Sequence, residues 1–137
     1  MIVLPIGLQL NNPGNLEENG IPWDGLAAVQ RHHRFATYDD PFHGMRAMAR
    51  TLINYQRRHG LFTVDTMLGR YAEENKTDRL DPYDICVASK LGIHYKDDKV
   101  DIDKHLLPMM MEMVRVEQGM EPFSAKLYEL AIASAKE

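Results

Sequence analysis

With a single cysteine, Cys86, the chain has no internal disulfide to form, and its fold must rest on packing and hydrogen bonds. Long apolar runs are missing as well. Nothing approaches the roughly 18 residues that a membrane helix needs, so no membrane span is expected. Positive charge is in deficit, 16 Lys and Arg against 20 Asp and Glu for a net charge of −4. That balance weighs against a phosphate-backbone ligand, and no nucleic-acid partner is expected. The six histidines include no H-x-x-x-H pair and no C-x-x-C occurs, so neither a metal nor a cofactor is expected. Ser89, Ser124 and Ser134 lack the G-x-S-x-G setting of a nucleophilic elbow. Repeats, low-complexity tracts and linkers are absent, and 137 residues suit one domain. Residues 1–6 are apolar but carry no basic flank and are too short for a secretory core; a packed N-terminal arm is expected. Cys86 itself, on an apolar helical face, reads as a small buried residue.

What the chain does have is a dense cluster of turn formers, NNPGNLEENGIPW, over residues 11–23. Such a stretch forms neither a helix nor a regular strand. Two readings are open. Asn11, Asn12 and Asn15 can hold the turn through side-chain to backbone bonds, with Trp23 as a plug in the core. Alternatively the amides meet sugar hydroxyls and N-acetyl groups, and the tryptophan face meets the apolar face of a pyranose.

After this loop, weak alternation over residues 33–38 predicts a short hairpin, the one β-like region. Helices follow. Asp40 and Pro41 supply a cap and a preset first turn for a helix over residues 41–58, with Met45, Met48, Ala49, Leu52 and Tyr55 inward and Gly60 as its stop. Thr63 caps a shorter helix that buries Val64, Met67, Leu68 and Tyr71, and the polar residues 73–78 read as a loop. Asp81 and Pro82 open a helix through Ile85, Ala88 and Leu91, ending at Gly92. Asp103 caps another with Leu106, Leu107, Met110, Met113 and Val114 inward, stopping at Gly119. In the run Met109, Met110 and Met111 at least one side chain must face the core. Pro122 starts a last helix that packs Phe123, Leu127, Leu130 and Ile132. Five helices and one hairpin make a mainly α, α+β domain. The basic runs at residues 31–34 and 56–59 form an anion-facing patch if the hairpin lies beside the helix end, and otherwise a solvated surface.

Among the acidic residues, Glu117 is the candidate for chemistry. Cleaving a glycosidic bond requires a carboxylic acid that stays protonated near neutrality, which burial beside apolar groups achieves by disfavouring the charged form. Glu117 lies one turn beyond Met113 and Val114, at the end of its helix and just before Gly119. The negative end of the helix dipole also raises a carboxyl pKa there. An ordinary exposed helix-terminal glutamate is the alternative.

The order N-N-P-G-N-L at residues 11–16, W-x-G at Trp23 and Gly25, F-A-x-Y ending at Tyr38, and G-M-R-A-M-A-R at residues 44–50 with Asn54 and Tyr55 resembles a family of small phage and prophage proteins. These are labelled virion structural proteins and are related to lysozyme-like, murein-degrading enzymes. Near the other end the family pattern R-H-E-N-G, a gap, then P-(Y/F)-S is met by Arg115, Glu117, Gly119, Pro122, Phe123 and Ser124, with Val116 and Gln118 as departures. The centre departs further, where a W-A-P-P segment is replaced by Tyr71, Ala72, Glu73 and Glu74. The loop and the helix after it are also similar to the second half of cell-wall glucosaminidases, in which the helix bearing the catalytic glutamate precedes the loop. Only ten residues precede Asn11 here, so the resemblance implies Glu117 as the expected matching acid, in a circularly permuted arrangement of the same parts.

The resemblance implies a lysozyme-like helical domain that cleaves cell-wall glycan in the manner of a muramidase or lytic transglycosylase. Glu117 is its expected catalytic acid, and Asn11, Asn12, Asn15, Trp23, Tyr38 and Arg115 its expected substrate contacts. Glu17 and Glu18 are the local rivals to Glu117. The implied partners are peptidoglycan glycan strands and other virion proteins, with the protein in the virion, or in the host cytoplasm before assembly, and acting at the bacterial cell wall. A non-enzymatic virion or wall-binding protein that retains the fold is the alternative.

Overall fold

The computed structural model describes residues 3–77 and 82–137. Six helices form among them: α1 (Ile6–Gln9), α2 (Pro41–His59), α3 (Val64–Asn75), α4 (Tyr83–Leu91), α5 (Ile102–Gln118) and α6 (Ala125–Ala135). Among the described residues, no helix is long and apolar enough to cross a membrane.

The central helix, α2, begins and ends where its sequence dictates. Asp40 accepts the His43 amide at 2.9 Å through its side chain, Pro41 occupies the first position, and Gly60 closes the helix in the left-handed region. Its stripe of Met45, Met48, Ala49, Leu52 and Tyr55 is buried. Two arginines on the same helix fasten α6 across it. Arg46 Nε donates to Ser134 Oγ at 2.9 Å. Arg50 donates to the carbonyls of Ala135 and Glu137 at 2.7 and 2.8 Å, satisfying acceptors that a helix end leaves open. Ala47 and Ala49 are buried on α2, as are Ala131 and Ala135 on α6, and such small side chains let two helix backbones approach closely.

Several boundaries differ from expectation. Helix α3 runs through Glu73 and Glu74, which the sequence placed in a loop. Glu74 is held there by Tyr55 Oη and by Arg70 one turn back, and Asn75 is buried, donating to the Tyr71 carbonyl at 3.0 Å. The expected cap at Asp81 lies outside the described residues; α4 starts at Tyr83 and ends at Gly92 as read. Its Ile85 is exposed rather than inward, and Cys86 is only half-buried. Helix α5 is capped by Asp101, not Asp103: the Asp101 carboxylate accepts both the Asp103 and Lys104 amides, while Asp103 pairs with Lys136. Met109 and Met110 face the core and Met111 lies at its edge. Helix α6 starts after a Ser124 cap and not at Pro122; Tyr128 lies in the core and Leu130, expected to pack, is exposed.

Residues 10–39 wrap the α-helical body without a regular strand. The segment expected as a hairpin makes two isolated antiparallel bridges, Glu17 with Phe35 and Leu26 with Tyr38. The N-terminal arm expected to pack is instead open at its described residues, with Val3, Leu4 and Ile6 exposed; residues 6–9 form the single-turn helix α1, whose Gly7 is buried against the loop and α5.

Candidate functional site

Helix α5 ends at Gly119, where a φ of 73° turns the chain left-handed. The last turn therefore delivers Glu117 and Gln118 together to the Asn-rich loop. Glu117 is half-buried. Its Oε1 accepts from Asn15 Nδ2 at 3.1 Å and, at a longer 3.5 Å, from Thr77 Oγ1. Its Oε2 accepts from Tyr83 Oη at 3.1 Å. Burial raises the carboxyl pKa above the ordinary 4.5, and the three donors pull it back down by favouring the charged form. Burial wins that balance. Tyr83 and Tyr71 are themselves pushed up by burial and then by the neighbouring Glu117 charge, so both remain neutral hydroxyl donors. The result is a carboxyl oriented by an amide and a phenol, with its pKa shifted upward by burial.

The loop that meets it is held from within. Asn12 is 0% exposed: its Nδ2 donates to the carbonyls of Leu16 and Ala36 at 2.9 and 2.8 Å, and its Oδ1 accepts the Leu16 amide at 2.9 Å. It builds the turn and presents nothing to a ligand, a correction to its expected role as a sugar contact. Asn11 and Asn15 sit in the left-handed region, at φ 58° and 53°, where asparagine is among the few tolerated side chains. Asn11 Nδ2 ties the loop to the Tyr38 carbonyl at 3.0 Å. Asn15 alone of the three spends its amide on Glu117. Gln118, buried beside it, donates to the Pro13 carbonyl and to Asn15 Oδ1, both at 2.8 Å.

One other expected substrate contact is also corrected: the Tyr38 side chain is 1% exposed, so it is core. Arg115 sits two residues from Glu117, about 200° around the helix; it is exposed and forms an ion pair with Glu112 on its own helix. Of the rival acids, Glu17 pairs with Arg34 at 2.8 Å, and Glu18 accepts the Gly20 amide; neither contacts Glu117 among the described residues.

Trp23 packs on the core edge and also lines a groove of about 270 Å³ between residues 19–23 and α2 and α3. Asn54, Arg58, Arg70 and Glu74 line the same groove, and a small cavity beside it reaches Glu17 and Asn75. The basic runs do not merge into one patch: Arg58 and His59 face this groove, whereas Arg31 donates to the Gln9 carbonyl and Arg34 pairs with Glu17.

Tyr83, Thr77 and Gln118 were not anticipated. For Tyr83 and Thr77, 34 and 40 residues from Glu117, no local pattern could announce the contact. Gln118 did carry a signal, since the pattern that the sequence resembles has an asparagine there, the same amide on a stem one methylene shorter.

The fold and site define a mainly helical domain that presents a half-buried carboxyl, at the end of a long helix, to an asparagine-rich loop. No protein-family model matches the chain. It is 31% identical over 121 residues to Protein P5 of Pseudoalteromonas phage PM2, an alignment that covers 86% of this chain and 74% of that protein. The chain belongs to the family of that bacteriophage protein.

Proposed function

We propose that this protein is a phage-associated, lysozyme-like enzyme that cleaves the glycan of peptidoglycan, with Glu117 as general acid. The observation that carries this reading is the Glu117 carboxyl itself, half-buried, with its pKa raised by that burial and its two oxygens oriented by Asn15 and Tyr83. A carboxyl that keeps its proton at the pH of the reaction can give it to a glycosidic oxygen as the bond to the anomeric carbon breaks with oxocarbenium character. The carboxylate left behind then takes a proton from the incoming nucleophile. Water in that role makes a muramidase, and the sugar's own 6-hydroxyl makes a lytic transglycosylase. Kinship with a bacteriophage protein supports a place in the virion.

Glu117→Gln is the test, because it removes the proton while keeping size and most hydrogen bonding. Muropeptide release from purified peptidoglycan, followed by mass analysis, should fall by about 10²–10⁴-fold while the circular dichroism spectrum is unchanged. Undiminished release from a folded variant overturns the assignment.

A second reading has an observation of its own. Both Glu117 oxygens already have internal donors, the arrangement of a structural clamp between loop and helix. Sedimentation of the wild-type protein with peptidoglycan, without any muropeptide release, would select a non-enzymatic virion or wall-binding component.

A further inference from the structure

The groove beside Trp23 has more hydrogen-bond donors than its own residues use. Arg58, on the last turn of α2, is exposed and has no ion-pair or hydrogen-bond partner among the described residues. The Asn54 amide and the Trp23 indole N–H likewise donate to nothing among the described residues. The one carboxylate on the groove wall, Glu74, is already taken by Tyr55 Oη and by Arg70 Nε at 3.2 Å. What remains is one uncompensated positive charge, two neutral donors and an aromatic surface, in a protein of net charge −4. An indole face and planar polar side chains are the chemistry that recognises a pyranose, and a guanidinium facing open solvent adds a preference for a carboxylate.

We infer that this groove is a saccharide subsite, separate from the Glu117 carboxyl, that selects glycan carrying a carboxylate over neutral glycan; Trp23 supplies the stacking surface and Arg58 the partner for the charge. The inference rests on the peptidoglycan reading: muramic acid has a lactyl group that chitin lacks, a free carboxylate in strands stripped of their peptide stem and otherwise amide-linked to a stem that brings carboxylates of its own. It goes beyond that reading by placing specificity at residues remote in sequence from the acid. Residues 15–19 and the end of α3 run between the two places: Asn15 and Thr77 hold Glu117, Asn75 Oδ1 accepts the Glu17 amide at 2.9 Å, and Glu74 and Asn19 border the groove.

Trp23 is the sole tryptophan, so intrinsic fluorescence of the intact chain reports on the groove directly. Three probes are titrated: the N-acetylglucosaminyl-N-acetylmuramic acid disaccharide, its carboxyl methyl ester, and neutral chitobiose. The acid should change the emission with an affinity at least about tenfold above that for the ester and chitobiose. Arg58→Ala should remove that advantage while leaving the weak binding of the neutral sugars. Equal response to all three probes, no response to any, or a response to sodium lactate as strong as to the disaccharide each overturns the inference. The ester comparison uses unmodified protein, so the result does not depend on the variant folding. Wall digestion is measured in parallel. Cleavage without selective fluorescence change overturns the groove alone, whereas selective change without cleavage supports the groove and overturns the catalytic assignment.

Discussion

Asn12 and Asn15 carry the same amide three residues apart and use it in opposite ways. Asn12 closes the turn on itself and on Ala36, whereas Asn15 turns outward to Glu117 because its left-handed φ of 53° redirects the side chain. The carboxyl at the receiving end makes a testable link between pH and stability. Burial holds the Glu117 pKa above the ordinary 4.5 in the folded protein. Between those two values the native state keeps a proton that the unfolded chain has released, so stability falls as pH rises through that window and levels off above it. Glu117→Gln has no such proton to lose. Urea midpoints measured from pH 4 upward should therefore show the variant gaining on the wild type as pH rises, then running parallel. A wild type that instead gains on the variant with rising pH would mean that the hydrogen bonds from Asn15, Tyr83 and Thr77 outweigh burial.

At the scale of elements, the G-x-R-A-x-A-R segment of α2 is architectural. Gly44 lies against the loop so closely that an added Cβ would collide with the Asn11 carbonyl oxygen, backbone that no rotamer change can clear. Gly44→Ala, which in an open helix would stabilise, should here cost about 1–3 kcal/mol, read as a lower urea midpoint. A midpoint at or above the wild type's would show that loop and helix are free to part. Helix α2 was legible because cap, proline, stripe and terminal glycine all agree. The end of α3 was not, because Glu73 and Glu74 look like loop until Tyr55 and Arg70 are brought beside Glu74. Asp103 was mistaken for a cap because Asp101, two residues earlier, offers the same carboxylate, and only backbone geometry chooses between them. At the candidate site, Glu117 was marked by its helix-end place before Gly119 and by the resemblance, and the loop by its turn formers, but the internal use of Asn12 and Tyr38 was not. Pattern records which residues recur; it does not record which way a side chain turns.

At the scale of the whole molecule, the junction near the chain's start and the end of α5 stitches together parts more than a hundred residues apart. Gln118 Nε2 reaches both Pro13 O and Asn15 Oδ1, and α1 presses on the same place, where a side chain at Gly7 would strike Asn15 and Gln118. The loop geometry that orients Glu117 thus depends on a contact formed only when the chain has closed. If loop and helix end act as one unit, the effects of removing their two amides should not add. Asn15→Gly keeps the left-handed backbone and deletes the amide; Gln118→Ala deletes its partner. In a double-mutant cycle on unfolding free energy the pair should couple by about 0.5–3 kcal/mol, with the double variant less destabilised than the sum of the single ones. Hydrogen exchange adds the location. In either single variant the amides of residues 12–16 and the last turn of α5 should lose protection together while the centre of α2 keeps it. Additive free energies, with exchange confined to the mutated segment, would mean that the loop is built by Asn12 alone and that Glu117 is oriented without help from the closure of the chain.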